Sequence, residues 1–254
     1  MTSETRSTGR SPGATYLADV SRILGVIADE ESDSMDAAAI AMARTIANDG
    51  LVHVFGTGHS HLVAAEMFYR AGGLAAINPI LVEGLLLHAG AELSTSLERT
   101  PGIGPVIFSR LGARSIDTLI LISNSGANVI ALELAAEARA LGMTIVAITS
   151  RAHSGSSLAR DGQQLRIADV ADIVIDNHGV AGDASIDVPG TPSKMGPSST
   201  VAGAAIANYL ALTTAAILAS SGEAPMVFAS SNLAGGDEAN REALDRYRSR
   251  VRSL

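Results

Sequence analysis

Three clusters of small polar residues stand where the chain leaves an apolar run, and a fourth opens a helical stretch. They are Gly56-Thr57-Gly58-His59-Ser60, Ser123-Asn124-Ser125-Gly126-Ala127-Asn128, Thr149-Ser150 and Ser198-Ser199-Thr200. Small residues let backbone N–H groups approach an anion closely, and a helix N-terminus adds partial positive charge. Serine hydroxyls supply further donors without net charge. The chemistry this suits is the binding of a phosphate monoester. One Gly-x-Gly turn says little alone. Here the third glycine of GxGxxG is missing, with Val63 and its neighbours apolar, and no GxxxxGK[ST] occurs. A single Ser cluster is more often a helix cap than a ligand site. The weight comes from all of them falling at one edge of one inferred sheet.

The elements that must position them are legible as periodicity. Tyr16, Leu17, Val20, Ile23, Leu24 and Ile27 mark one helical face over 14–30. A second helix is expected from an N-cap at Ser34 to about Asn48, with Gly50 as its left-handed C-cap. LVHVF (51–55), TLILIS (118–123), TIVAIT (144–149) and DIVID (172–176) read as strands apolar on both faces, and AAINPI (75–80) as another ending near Pro79. Helical patterns lie between them at 61–71 and 129–141. Such alternation predicts an α/β parallel sheet with helices on both sides, and ligands bind such sheets beyond the carboxyl ends of the strands. Residues 178–197, with four Gly and three Pro, read as a long loop. A helix follows at about 199–220, and Asp237 is placed to cap a last helix with a basic, solvated end.

Composition narrows the functions. The chain has 254 residues, 47% hydrophobic, with a net charge of −8. The acidic balance argues against a nucleic-acid binder, which needs Lys and Arg to neutralise phosphates. With no Cys, disulfides, thiolate nucleophiles and Cys-ligated zinc are excluded. Residues 1–13 are polar and read as a flexible tail, with no apolar core of a secretory signal, so a cytoplasmic protein is expected. Segment 201–219 has the length of a membrane span, but its Ala-rich content, Asn208 and two Thr favour a buried helix, with no membrane partner.

GTGHS (56–60), ISNSG (122–126) and AITS (147–150) resemble the sugar isomerase, or SIS, domain family, and GPSSTVAGAAIAN (196–208) is similar to the helix start of its N-acetylmuramic acid 6-phosphate etherase branch. The resemblance covers about residues 36–220. GHSHLVAAEMFYRAGG and SNLAGGDEANREALDRYR look most like a branch with a single SIS domain whose members are labelled phosphosugar isomerases. It implies a three-layer sandwich with a five-stranded parallel sheet, flavodoxin-like, with added N- and C-terminal helices. The domain limits it suggests are N-terminal helices over 14–50, the SIS domain over 51–222 and a C-terminal extension over 223–254. It further implies a homodimer or homotetramer, a phosphosugar ligand and no organic cofactor. Carried over by position, Ser60, Ser123, Asn124, Ser125 and Asn128 would hold the phosphate. Gly58, His59, Ser150, Ser199 and Thr200 stand beside them as further donors.

Aldose–ketose isomerisation removes a proton next to a carbonyl and returns it to the neighbouring carbon. It needs a base, commonly a Glu, and often a His or second acid to open the ring. Glu66 is conspicuous in LVAAEMF, although a pair with Arg70, four residues on, also accounts for it. Glu83 and His88 flank EGLLLH, and His61 forms His-x-His with His59 around Ser60. These four, Glu66, Glu83, His61 and His88, are the expected acid–base residues. Glu92 and Glu98 read as surface residues, and His178 and Asp183 as exposed. The two histidines, with no HExxH or Cys set nearby, do not make a metal site. The leading reading is a phosphosugar isomerase working through an enediol. The alternatives are a non-catalytic phosphosugar sensor and an etherase-like lyase.

Overall fold

The computed structural model describes residues 10–156 and 165–254. Of the expected tail, residues 1–9 lie outside the described residues, and Pro12 and Gly13 already belong to the first helix. That helix, α1 (Pro12–Glu30), starts where Ser11 accepts the Ala14 N–H and Pro12 occupies a first-turn position that needs no N–H. In α2 (Ser32–Ala47), Ser34 is not the cap. Its hydroxyl donates to Glu31 inside the first turn. At the other end Asp49, not Gly50, takes the left-handed position, with φ of 58°. Gly50 is required for another reason, since a Cβ there would stand 2.6 Å from Thr45 Cγ2.

Five parallel strands follow: β1 (Val52–Gly56), β2 (Ile77–Pro79), β3 (Thr118–Ile122), β4 (Thr144–Thr149) and β5 (Ile173–Asp176). Their order is β2-β1-β3-β4-β5, the flavodoxin-like order, so the chain switches direction between β1 and β3. Alternation sorts the side chains. Val52, Val54, Ile120, Ile122, Val146 and Ile148 face a layer made by α1, α2, α3 (His61–Met67) and α9 (Ser199–Ser220). Phe55, Leu119, Leu121, Ile145 and Ala147 face the opposite layer of α5 (Ile103–Phe108), α6 (Val129–Leu141) and α8 (Ile167–Val170). At the carboxyl ends of the strands lie α4 (Ala91–Leu97) and α7 (Arg151–Ser156).

Near the opposite edge, His53 is buried on the face shared with Phe55 and bonds Asp117 at 3.1 Å and Asn78 at 2.8 Å. Asp117 also accepts the Leu51 and Arg114 N–H groups. Burial alone would push its carboxyl up. The bonds from His53, Leu51 and Arg114 outweigh this and hold it below its usual value.

The Gly/Pro-rich stretch contains an antiparallel hairpin, β6 (Ala184–Ile186) with β7 (Met195–Pro197), which the loop expectation did not include. It is tied to α1 by Ser185 donating to Asp19 at 2.6 Å and by Tyr16 donating to the Pro197 carbonyl at 2.9 Å. The Ser185 hydroxyl, then Arg22, hold the Asp19 carboxyl below its usual value.

Helix α9 is long and apolar enough to cross a membrane by length and composition. It packs on α1, α2 and α3, but is buried along one side only, and Leu212 is 70% exposed. The last helix, α10 (Gly236–Tyr247), begins after Gly235 in the left-handed region, so Asp237 lies in its first turn rather than at its cap. Its basic end is not simply solvated: Arg246 and Arg250 each reach Asp49 at 3.1 Å.

Candidate functional site

A cavity of about 760 Å³ opens at the carboxyl ends of β1, β3 and β4. Thr57, His59 and Ser60 enter it from the turn after β1, Ser123 to Val129 from the turn after β3, and His153 and Ser156 from α7. This is the switch-point crevice where open α/β sheets bind ligands. The thirteen-residue α6 directs its N-terminus at it, so N–H groups without intrahelical partners face the cavity.

The expected phosphate residues divide by what their side chains already do. Ser60 and Ser125 line the cavity. Among the described residues, Ser125 Oγ makes one long contact, accepting from Ala127 N–H at 3.4 Å. Ser123 Oγ is buried and accepts from Gly126 N–H at 3.1 Å, which shapes the turn. Asn128 is engaged as the cap of α6, accepting from Ala131 N–H at 3.0 Å and donating to Thr57 at 2.8 Å. Gly58 holds the turn after β1 in the left-handed region, with φ of 52°. Its carbonyl accepts His61 Nδ1–H.

Ser150 is fully buried and does not reach the cavity. Its hydroxyl donates to Gly179 O at 2.5 Å and accepts from His153 N–H at 3.0 Å. Ser199 does line the cavity, but Asp183 accepts its N–H at 2.9 Å and its hydroxyl at 2.6 Å. A carboxylate thus already occupies the start of α9, where a phosphate would otherwise sit. Thr200 lines only a side pocket of about 10 Å³, the size of one water, together with Ser60, Asn124 and Asn177.

Asn124 is oriented by a relay. Asn177 Oδ1 accepts Gly179 N–H at 2.9 Å, so Asn177 Nδ2 donates to Asn124 Oδ1 at 2.8 Å. This turns Asn124 Nδ2 away, and that buried donor has no partner among the described residues.

The four expected acid–base residues are not brought into this cavity. Glu66 pairs with Arg70 and accepts from Asn208 at 2.9 Å on the outer side of α3 and α9. Glu83 and His88 are exposed on short turns. His61 is buried, with its ring 6.1 Å from that of His88. The structure brings in others. Glu98, expected on the surface, is half-buried in the cavity wall and accepts from Thr57 Oγ1 at 2.9 Å. Asp183, expected to be exposed, and Arg99 also line it. His153 Nδ1 accepts Gly182 N–H at 2.8 Å. An acceptor nitrogen carries no proton, so the ring proton is on Nε2 as a donor. His178 turns elsewhere, to Glu31 at 3.3 Å.

Sequence signals existed for two of these. Thr57 is inside the first polar cluster, and His153 lies three residues past Ser150. Glu98 has no local signal, because its partner is 41 residues away.

The SIS domain model matches residues 15–150, more than half of the chain. A UPF0309 protein of Geobacillus thermodenitrificans is 39% identical over 236 residues, which is 93% of this chain and 95% of that one. The chain belongs to the SIS-domain family. A UPF0309 protein of Brucella canis is 41% identical over 235 residues, covering 92% of this chain and 96% of its own. A phosphoheptose isomerase from Francisella tularensis shares the fold, with a TM-score of 0.50 and 20% identity over 79% of this chain and 95% of that one. In this SIS domain, the first three polar clusters therefore fall inside the matched region, and Asp183 and the hairpin fall beyond it.

Proposed function

We propose that this SIS domain binds a sugar phosphate, with its phosphate on the Ser123–Asn128 turn and Ser60, and interconverts its aldose and ketose forms with Glu98 as the base. One observation carries the reading. Serine hydroxyls, the N-terminus of α6 and a carboxylate all face one cavity at the strand ends. Glu98 is oriented through Thr57, which is held in turn by Asn128, so the same turn that receives the phosphate positions the base. Glu98 takes the proton from the carbon next to the carbonyl and returns it to the neighbouring carbon, through an enediol. The Nε2–H of His153 donates a hydrogen bond to the oxygen that gains negative charge, and the proton of the neighbouring hydroxyl passes to that oxygen as the new carbonyl forms. Neither step needs an organic cofactor. The related fold from F. tularensis is a phosphoheptose isomerase, an activity of this reaction class. The same reading expects a cytoplasmic homodimer or homotetramer.

The test is a thermal-shift panel of sugar phosphates and their unphosphorylated parents, followed by solvent deuterium exchange. A ligand at 100 times its Kd adds about 2.7 kcal/mol of stability. The expected result is stabilisation by phosphorylated sugars only, with deuterium entering the sugar. Glu98→Gln keeps binding and loses exchange. Binding without exchange makes the protein a sensor, and exchange with release of a leaving group makes it a lyase. No stabilisation by any sugar phosphate overturns the proposal.

A further inference from the structure

A second cavity, of about 200 Å³, stands apart from the one at the strand ends. Two segments that the phosphate turns leave unused meet there: Tyr69 and Arg70, just after α3, and Ser230 to Asn232, ahead of α10. Hydrogen bonds place it toward the amino ends of β1 and β2. The Gly72 and Ala75 N–H groups donate to the Phe228 and Met226 carbonyls at 2.8 and 2.9 Å, and the Ala76 carbonyl accepts the N–H of Val52, the first residue of β1. The wall is fixed from behind. Asn240 is buried, accepts the Ala229 N–H at 2.7 Å and donates to the Ala229 carbonyl at 3.0 Å. A Cβ on Gly236 would stand 2.0 Å from the Ser230 carbonyl oxygen, so only glycine lets α10 lie this close to the loop.

Tyr69 is held with φ of 41°, an outlier for a bulky side chain. Such backbone persists where its surroundings fix it, and it clusters at ligand sites. The ring packs edge-on against buried Phe228, with centroids 4.9 Å apart at 73°, yet remains 48% exposed. The polar groups around it are unspent. Among the described residues, the Tyr69 hydroxyl, the Ser231 hydroxyl and the Asn232 side-chain amide make no hydrogen bond. Arg70 is the one charged side chain of the wall among the described residues, and Glu66 pairs with it through Nη1, which leaves its other N–H groups as donors without net charge. In the first turns of α10, Asp237, and Glu238 paired with Arg241 at 3.3 Å, add no positive charge that would favour an anion. The cavity is smaller than the roughly 300 Å³ at which drug-sized sites begin, so it takes a single ring. Hydroxyl, amide and guanidinium groups around an aromatic ring match a saturated ring with hydroxyls on its edge and C–H groups on its faces.

We propose that this cavity is a second ligand site, and that it takes a neutral monosaccharide in its ring form. The C–H face of the sugar lies on Tyr69, and its hydroxyls bond Arg70, Ser231 and Asn232. The inference stands apart from the sugar-phosphate reading, since no residue is shared between the two cavities.

The experiment is saturation-transfer NMR of the full chain with glucose, galactose, mannose and N-acetylglucosamine at millimolar concentration, followed by titration of the strongest binder. The expected result is transfer to the ring C–H protons of at least one sugar. Tyr69→Ala should weaken that sugar about tenfold or more. Asn232→Ala removes a side chain with no bond inside the protein, so it should fold as the wild type does and also weaken binding. Ser125→Ala, at the strand-end cavity, should leave it unchanged. Transfer to none of the four sugars overturns the proposal, as does binding that survives both Tyr69→Ala and Asn232→Ala. A neutral sugar lost in Ser125→Ala lies in the strand-end cavity, which also overturns it. If no sugar binds and sedimentation shows that Tyr69→Ala changes the oligomeric state, the cavity seats a second copy of the chain instead.

Discussion

Ser125→Ala separates binding from folding at the proposed phosphate turn. Among the described residues the Ser125 hydroxyl makes only the 3.4 Å contact with Ala127 N–H. Its removal should therefore destabilise the free protein by less than about 1 kcal/mol. A hydroxyl donating to a charged phosphate contributes about 1.5–3 kcal/mol, or about 10- to 150-fold in Kd. With ligand at 100 times the wild-type Kd, the stabilisation should fall from about 2.7 to about 1.4 kcal/mol for a tenfold loss, and to about 0.4 for a hundredfold loss. At about 2–4 °C per kcal/mol in a chain of this size, the ligand-induced rise in Tm drops from about 5–11 °C to about 1–6 °C. The Tm without ligand moves by no more than about 4 °C. Differential scanning fluorimetry of both proteins, with and without a stabilising sugar phosphate, reads all four values. An unchanged ligand-induced shift in the variant refutes the assignment of Ser125 to the phosphate.

Three further outcomes are expected. Asp117→Asn replaces an acceptor of three hydrogen bonds in a buried site, and should lower stability by about 3 kcal/mol. Because the folded pKa of Asp117 lies below 3.8, the wild type keeps this contribution above that value and loses it as pH falls through the lower folded value. Urea midpoints from about pH 6 down to about pH 2 should thus converge between the two proteins, and a constant gap contradicts the account. Ser150→Ala unties Gly179 from α7 and should lower stability by about 1–3 kcal/mol. An unchanged melting temperature shows that the tie is not stabilising. Light scattering should read a dimer or tetramer for the wild type and a smaller species for Leu212→Glu, since Leu212 is 70% exposed on an apolar helix. A monomeric wild type refutes this.

Much of the fold was readable because parallel strands buried on both faces appear as short unbroken apolar runs. TLILI and TIVAIT emerged as β3 and β4 with their expected limits almost unchanged. The β6–β7 hairpin was hidden, because its strands have three residues each in a stretch dominated by Gly and Pro. The C-terminal arginines were misread for a related reason. Asp49, which receives Arg246 and Arg250, lies about 200 positions earlier in the chain, and no local pattern announces such a pair.

In the site, the residue types announced donors, and burial decided which of them were free. Ser150 and Ser125 look alike in sequence, yet one hydroxyl is spent on Gly179 and the other is nearly unengaged. Glu66 drew attention by interrupting an apolar helix, but the neighbouring Arg70 and Asn208 account for it. Glu98 read as a surface residue, and the cavity gives it a place.

Local order along the chain is sufficient to write the alternation of strands and helices, and with it the edge at which small polar turns gather. That information is carried by periodicity, which needs only neighbouring residues. Which carboxylates share a cavity with those turns depends on how loops 41 and 16 residues apart close on Thr57 and Ser199. Packing of the two helical layers on the sheet sets those closures, and only the folded chain brings Glu98 and Asp183 to the same wall.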